Sequence, residues 1–596
     1  MRFINNYITF FVCLCALLTL QACQKGLNYP NTNVINPDNV WKDSTMIRAF
    51  LTDIYGGLNP GWPYTGSASD EGISQPQNLG AYQRGIISVE KTSYGLDYTY
   101  IDKINFFLDQ LPAVPTSVLS SGLKNEFTGE ALFWRAWDYW NKVATFGGVP
   151  LILHTQNISN KPGLFVPRNK TSECVSRIIT DLDSAILLLP PVYNGSGYGR
   201  ITKGAAMAFK GRVLLWYASP LFNPSNAQAR WQAAYTANKA AVDFLIQQGN
   251  GLYPDYRQIW YQKRNKELIM VNQFYYPDHP NNQNVIRPEP LTKDASNTNQ
   301  PLLSLLNAFP KRDGSPLQFD KTLLADPVYN AQYLTDFYTN RDDRFYATVF
   351  CGGTVYPTPD LPAPNRFWNA WKWDAVNNKY VNILTEVNFP GGAQNSGCTG
   401  FFDRKGLDTT LTLQLVGNGQ VDWPEIRFAE VLMNYGECAN ETGNTGEALD
   451  VLYQIRARAG ILPGGSNTYG ITATSQNDIR TAYINERFVE FAFENKRLGD
   501  LRRWKRYDIL NSQGARHGMY LVINPGQTVT STDDIMTASV RAKFKAVYID
   551  NLDGDPMFYF NLDLNHWFYP IAQSNIDVDP ELIQNNEWGG AFDPLQ

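Results

Sequence analysis

Apolar positions recur at three- and four-residue steps through much of the chain. In "NEFTGEALFWRAWDYWNKVATFGGVP", Phe133, Trp137, Trp140 and Ala144 share one face of a predicted helix, and Gly147, Gly148 and Pro150 end it. "TSECVSRIITDLDSAILLLPP" repeats the pattern with Val175, Ile178, Leu182, Ile186 and Leu189, from a Thr171 cap to Pro190. "ITKGAAMAFKGRVLLWYASPLF" and "ARWQAAYTANKAAVDFLIQQG" predict two more helices. Long amphipathic helices on short loops point to helical hairpins rather than a sheet.

A stronger repeat signal spans residues 424–460, where two helical patterns flank Gly443-Asn444-Thr445-Gly446. This is close to the helix–turn–helix unit of tetratricopeptide repeats, about 34 residues with small residues where the helices cross. Such units stack sideways into scaffolds. Between about 275 and 425 the helical periodicity disappears into Asn, Pro, Gly and aromatic residues, as in "YPTPDLPAPNRFWNAWKWD". A long structureless run on a helical scaffold is where ligands usually meet a protein.

The apolar run Tyr7–Leu20 is too short to cross a bilayer, which takes ~20 residues, but fits the core of a secretory signal behind Arg2. It leads into Leu20-Gln21-Ala22-Cys23, which resembles the lipobox of bacterial lipoproteins. That resemblance implies removal of 1–22 and acylation of Cys23, with 23–45, rich in Asn and Pro, as the tether. Elsewhere, too, no apolar run is long enough to span a membrane.

The mature chain has room for two or three domains of about 150 residues, yet no obvious linker divides it. Its 13% aromatic content exceeds that of an ordinary cytosolic enzyme, and 18% charge is low. A formal net charge of -5 removes the basic field that nucleic-acid binding needs, so nucleic acid is excluded as a partner. Outside the signal and lipid site the cysteines are Cys174, Cys351, Cys398 and Cys438, with no C-x-x-C pair. Cys351 and Cys398 lie in glycine-rich loops and could bond in an oxidising compartment. Cys174 and Cys438 sit in helical patterns as small buried hydrophobes.

Six blocks in order, "FWRAWDYWNKVATFGGVPLIL", "GRITKGAAMAFKGRVLLWYASPLFN", "WPEIRFAEVLMNYGECANETG", "LYQIRARAG", "INERFVEFAFENKRLGDLRRW" and "HWFYPIAQSNIDVDPELIQNNEW", resemble the SusD/RagB family over about residues 35–590. The resemblance implies a mostly α fold of tetratricopeptide-like hairpins with long loops and a few short β-strands. It divides the chain into an N-terminal helical region, 46–260, and a C-terminal region, 261–596, carrying a loop-rich ligand insert at 275–425. It implies a non-catalytic outer-membrane lipoprotein that faces the exterior, binds oligosaccharide or, in the RagB branch, peptide, and works with a SusC-like TonB-dependent transporter. No cofactor or metal is expected.

Sugar recognition needs exposed aromatic faces beside planar polar groups. "NPGWPYTGSASDEGISQPQNLGAYQRG" offers Trp62, Tyr64, Asp70, Tyr82 and Arg84, and a Ser-Asp-Glu here is usual in the family. "RFWNAWKWDA" offers Trp368, Trp371 and Trp373; the alternation of the last two fits an exposed platform or an inward strand face equally. Tyr94 and Tyr98 precede the helix of "TYIDKINFFLDQL", near a point where the family tends to carry a ligand-site aromatic. The helical spacing of "FWRAWDYW" makes its tryptophans core. In "RFVEFAFENKRLGDLRRW", Arg487, Glu490, Glu494 and Arg497 can pair along one helix face, and the block is read as a buried ion network locking the last hairpin.

The rival readings are a glycoside hydrolase, which needs two carboxylates ~5–10 Å apart, and a scaffold that holds another protein. No G-x-S-x-G, H-E-x-x-H or phosphate loop is present. His154, His279, His517 and His566 are scattered, and Asp550, Asp553 and Asp555 miss the EF-hand spacing, so an acidic turn is expected there.

Overall fold

The computed structural model describes residues 37–92, 94–287, 299–356, 358–361, 363–366, 368, 371–374, 376–377, 379–382 and 399–596. Cys23, the signal and most of the tether lie outside them, as does Cys398, the expected partner of the buried Cys351.

The first half is helical: α1 (Pro37–Val40), α2 (Ser44–Leu58), α3 (Thr99–Gln110), α4 (Ser121–Phe146), α5 (Thr171–Leu188), α6 (Lys203–Ala218) and α7 (Gln228–Gln247). α4 packs along α5, and α6 along α7. Trp134, Trp137 and Trp140 are buried, as their spacing predicts, and Gly147 ends α4 with φ 80. Arg135 of α4 clasps Asp181 of α5 through two bonds of 2.8 and 2.9 Å. Thr171 is not the expected cap. It is the first residue of α5, and its hydroxyl donates to Pro594 O at 2.7 Å, while the Glu173 carboxylate accepts the Lys170 N–H at 3.1 Å.

The 424–460 segment is the predicted hairpin, α11 (Phe428–Glu441) and α12 (Thr445–Arg458), turning at Gly443 with φ 85. α11 also packs on α7 and on α13 (Gln476–Glu490), which joins the array to its last turn. At that crossing a Cβ on Gly436 would lie 2.0 Å from the Tyr483 hydroxyl, which donates to Ala448 O at 2.7 Å. Only a residue without a side chain lets these helices approach so closely.

The 275–425 stretch is more structured than its composition predicts. It holds α8 (Leu303–Ala308), α9 (Pro327–Tyr338) and α10 (Asp343–Thr348). The strands are short: β1 (Gly72–Ile73), β2 (Leu268–Asn272), β3 (Gln300–Pro301), β4 (Val349–Cys351), β5 (Trp371–Asp374), β6 (Lys379–Asn382), β7 (Phe401–Asp403), β8 (Trp423–Arg427), β9 (Gly518–Ile523) and β10 (Phe544–Ile549). They pair as β1-β3, β2-β8, β4-β7 and one sheet ordered β10-β9-β5-β6. Phe337, Phe345, Phe350, Trp368, Phe402 and Met519 gather under these elements as a second core, apart from the main helical one. α8 and α10, six residues each, are too short for a periodic pattern to declare them, while α9 buries Tyr333, Leu334, Phe337 and Tyr338 at helical spacing.

The charged block is buried as read, but its partners are not its own helix neighbours. α13 stops at Glu490, Phe493 and Asn495 take left-handed φ of 60 and 57, and α14 (Arg497–Arg503) restarts the chain in a new direction. Glu490 and Glu494 therefore meet Arg427 at the end of β8, at 2.7 and 2.8 Å, with Glu267 on its other side at 2.8 Å. Arg344 adds a further bond to Glu490 at 3.0 Å, and Arg458 pairs with it as well. Arg487 turns to Asp500 at 2.8 Å. The network joins the hairpins, the β2-β8 ladder and the loop region at one point.

Candidate ligand-binding surface

The sequence-predicted site residues fall into separate groups. Asp70 and Tyr82 are not exposed as expected. Asp70 is 1% exposed and accepts both guanidinium bonds of Arg497, at 2.8 and 2.7 Å. A carboxylate so engaged has no free edge for a sugar hydroxyl. Trp368 is not exposed either. It is wholly buried, stacked 5.2 Å from Phe544, with Nε1 donating to Thr530 O at 3.0 Å. Trp371 and Trp373 lie on β5, where Trp371 pairs with Val522 of β9. Their side chains are outside the described residues.

Trp62 is half-buried and wedged rather than presented. Its ring lies 4.9 Å from Trp423, its Nε1 donates to Val421 O at 2.9 Å, and Gly406 passes beneath where no Cβ would fit. Beside it, Tyr64 donates to Asn281 Oδ1 at 2.7 Å.

Tyr82 and Tyr94 are brought together by a residue that the sequence reading did not single out, Tyr569. Tyr82 stacks on Tyr569 with centroids 4.3 Å apart and planes 15° from parallel. Tyr94, 47% exposed, leans on the other part of Tyr569 at 4.3 Å. The hydroxyl of Tyr82 meets that of Tyr507 at 3.0 Å, and Tyr507 stacks on Trp567 at 4.6 Å. Burial pushes the phenols of Tyr82 and Tyr507 upward, so they remain neutral hydrogen-bonding groups. An exposed ring thus rests on a fixed aromatic stack, its plane 59° from that of Tyr569, which lowers the entropy it loses when a ligand arrives. The "HWFYPIA" run was the available signal, since an aromatic cluster next to polar loops invites this role.

Planar polar groups border the ring. Asn575, on α17 (Gln573–Val578), accepts the Leu96 N–H at 3.2 Å and so ties the Tyr94 loop to that helix, where Gln573 donates to Asp577 at 2.8 Å. Tyr98, just before α3, is half-buried away from these groups' contacts, against Tyr139 at 6.5 Å. Its hydroxyl donates to Pro150 O at 2.8 Å, and the Lys142 amine lies 5.5 Å over its ring. Arg84 lies in the same loop as Tyr82, with its guanidinium 4.8 Å from the Phe558 ring. A second exposed pair, Tyr275 and Tyr276 at 50% and 56%, sits on a tight turn closed by the Tyr275–His279 bridge and adjoining the Trp62 segment, the Tyr276 N–H donating to Gln420 at 3.4 Å beside the Val421 carbonyl that Trp62 holds.

Among the described residues no group of His, Cys, Asp and Glu is arranged to hold a metal ion. Asp553, in the acidic turn, is taken by Arg516 at 2.9 Å. No described helix is long and apolar enough to cross a membrane.

A family model for the SusD family matches residues 258–588. The chain belongs to the SusD family. A second model, described as starch-binding associating with outer membrane, matches residues 68–215 of this SusD-family chain. SusD-like protein P38 of Formosa agariphila is 21% identical over 84% of this chain and 92% of its own. SusD-like protein P2 of the same organism is 35% identical, but over only 13% of this chain and 16% of its own. Among solved structures, a SusD-like protein from Bacteroides fragilis superposes with a TM-score of 0.70 at 22% identity, covering 94% of this chain and 99% of that one. A laminarin binding SusD-like protein gives 0.55 at 20%, covering 91% and 99%. These likenesses bear out the mostly α, SusD-like fold.

Proposed function

We propose that this SusD-family chain is a non-catalytic, cell-surface glycan-binding lipoprotein that captures oligosaccharide and delivers it to a SusC-like TonB-dependent transporter. The observation that carries the reading is Tyr94, presented to solvent on the Tyr569–Tyr82 stack beside the polar face of α17. A flat ring held this way suits the apolar face of a pyranose, and the neighbouring amides and carboxylates suit its hydroxyls. Asp70, the most suggestive acid of the N-terminal loop, is locked to Arg497 and serves the fold. The lipid anchor at Cys23 would keep the chain at the outer membrane, facing outward.

The test is calorimetric titration of residues 24–596 against a panel of soluble polysaccharides and peptides, with product analysis on the same samples. Saturable binding of one glycan without new reducing ends is expected. New reducing ends would make the chain a glycosidase, and binding of peptides alone would move it to the peptide branch. Labelled palmitate should enter the full chain and fail to enter Cys23→Ala.

A further inference from the structure

A cleft of about 460 Å³ opens between α4, α6, α11 and α14, in the helical body. Trp137, Trp140 and Trp216 wall it, Trp140 and Trp216 meeting edge to face at 6.0 Å. Asn141 and Asn495, both exposed, stand at its mouth, and Asn495 is held there in a left-handed conformation with φ 57. Its volume lies within the range of about 300–1,000 Å³ usual for small-molecule sites.

The charges around it cancel. Arg212 binds Glu430 at 2.6 Å and Glu425 at 2.8 Å, Lys496 reaches Glu430 at 3.1 Å, and Arg487 holds Asp500. Burial alone would neutralise Glu430, but Arg212 and Lys496 outweigh it and hold the carboxyl well below the ordinary range. With every ion matched, a charged ligand would find no unmet partner here.

Neutral donors are another matter. Asn434 is 2% exposed and spends its Oδ1 on Arg487 at 3.0 Å; its Nδ2 has no acceptor among the described residues. The indole N–H groups of Trp137 and Trp140, residues 5% and 4% exposed, likewise have no acceptor there, although both rings line the cleft. Donors that line a cavity without a protein acceptor can be met by acceptor oxygens within it.

We propose that this cleft is a second ligand site, for a neutral hydroxylated molecule of monosaccharide to disaccharide size, separate from the Tyr94 surface. Ring oxygens and hydroxyls take the open donors, and the C–H face of the sugar lies against Trp216, the half-buried indole of the wall. The inference does not depend on what Tyr94 binds.

The test uses the mature chain and its indole fluorescence, with glucose, galactose, xylose, maltose and glucuronate as probes. At least one neutral sugar should give a saturable change, and glucuronate none. Ala144→Phe, which fills the half-buried wall of the cleft, should weaken that response by about tenfold or more, while Tyr94→Ala leaves it unchanged. Trp216→Ala serves in its place should Ala144→Phe fail to fold, as judged by circular dichroism. A response from no neutral sugar, one that survives the cleft variant, or one lost with Tyr94→Ala would overturn the proposal; the first of these means that the cleft holds water only.

Discussion

Arg497 and Asp70 face each other across 427 residues of sequence in a buried two-bond ion pair, at 2.8 and 2.7 Å. The pair fastens the N-terminal loop to the start of α14. Replacing Asp70 by Asn would leave the guanidinium buried without its counter-charge, a loss of about 3–5 kcal/mol. Chemical denaturation should show it, and the Asp70→Asn protein that remains folded should bind glycan as before. A specific loss of affinity at unchanged stability would return Asp70 to the ligand site.

Tyr94→Ala should do the reverse. The ring is half exposed, so the melting temperature should hardly move, whereas glycan affinity should fall by about 1–2 kcal/mol for the lost ring contact. Tyr569→Ala removes the support beneath it and should lower both. Parallel titration and thermal melts of the two variants check this.

Stability should fall as pH rises through neutrality, because of Glu71. Burial raises its carboxyl to about 8, against the opposing bond from the Phe493 amide. Above the unfolded value of about 4.3 the denatured chain gives up this proton while the native chain keeps it until about 8. The native state then binds more protons, so its advantage shrinks across that window. Asp403, raised to about 7 chiefly by burial, acts with the same sign. Glu71→Gln should flatten the fall between about pH 5 and 8; identical pH profiles for the two proteins would show that Glu71 is ionised in the fold.

Glu490 has the opposite sign. Burial disfavours its charge, yet Arg458, Arg427 and Arg344 outweigh that and hold it well below the ordinary range. Its contribution is complete above the unfolded pKa and is lost as pH drops through the acid range, so Glu490→Gln should cost most near neutral pH, with the difference from the parent shrinking as pH falls. Urea titrations at two pH values read the difference.

Gly436→Ala should destabilise by about 1–3 kcal/mol, because the new methyl collides with the Tyr483 hydroxyl. Tyr483→Phe in the same chain should recover part of that loss by making room.

The helices were legible because their signal is local. Phe133, Trp137 and Trp140 declare a buried face from spacing alone, and Gly443 marks the turn of the 424–460 hairpin. The burial of Asp70, Tyr82 and Trp368 was not legible, since Arg497, Tyr569 and Phe544, which cover them, lie far off in the chain. Tyr94 was named on resemblance, and its support by Tyr569 came only from the fold. The short helices α8 and α10 escaped notice because one or two turns do not establish a period, whereas Tyr333, Leu334, Phe337 and Tyr338 of the 12-residue α9 carried a helical spacing that went unread.

The segment that includes Phe592 and Pro594 lies against Gly147 and Gly148, where added side chains would strike it, and Pro594 O takes the Thr171 hydroxyl from 423 residues upstream. A ribosome emits α4 and α5 long before it emits their covering segment. The pair therefore stays incomplete throughout most of synthesis, with its closing contacts among the last that can form. On the reading of residues 1–22 as an export signal, such late closure would keep the polypeptide threadable until the membrane has been crossed.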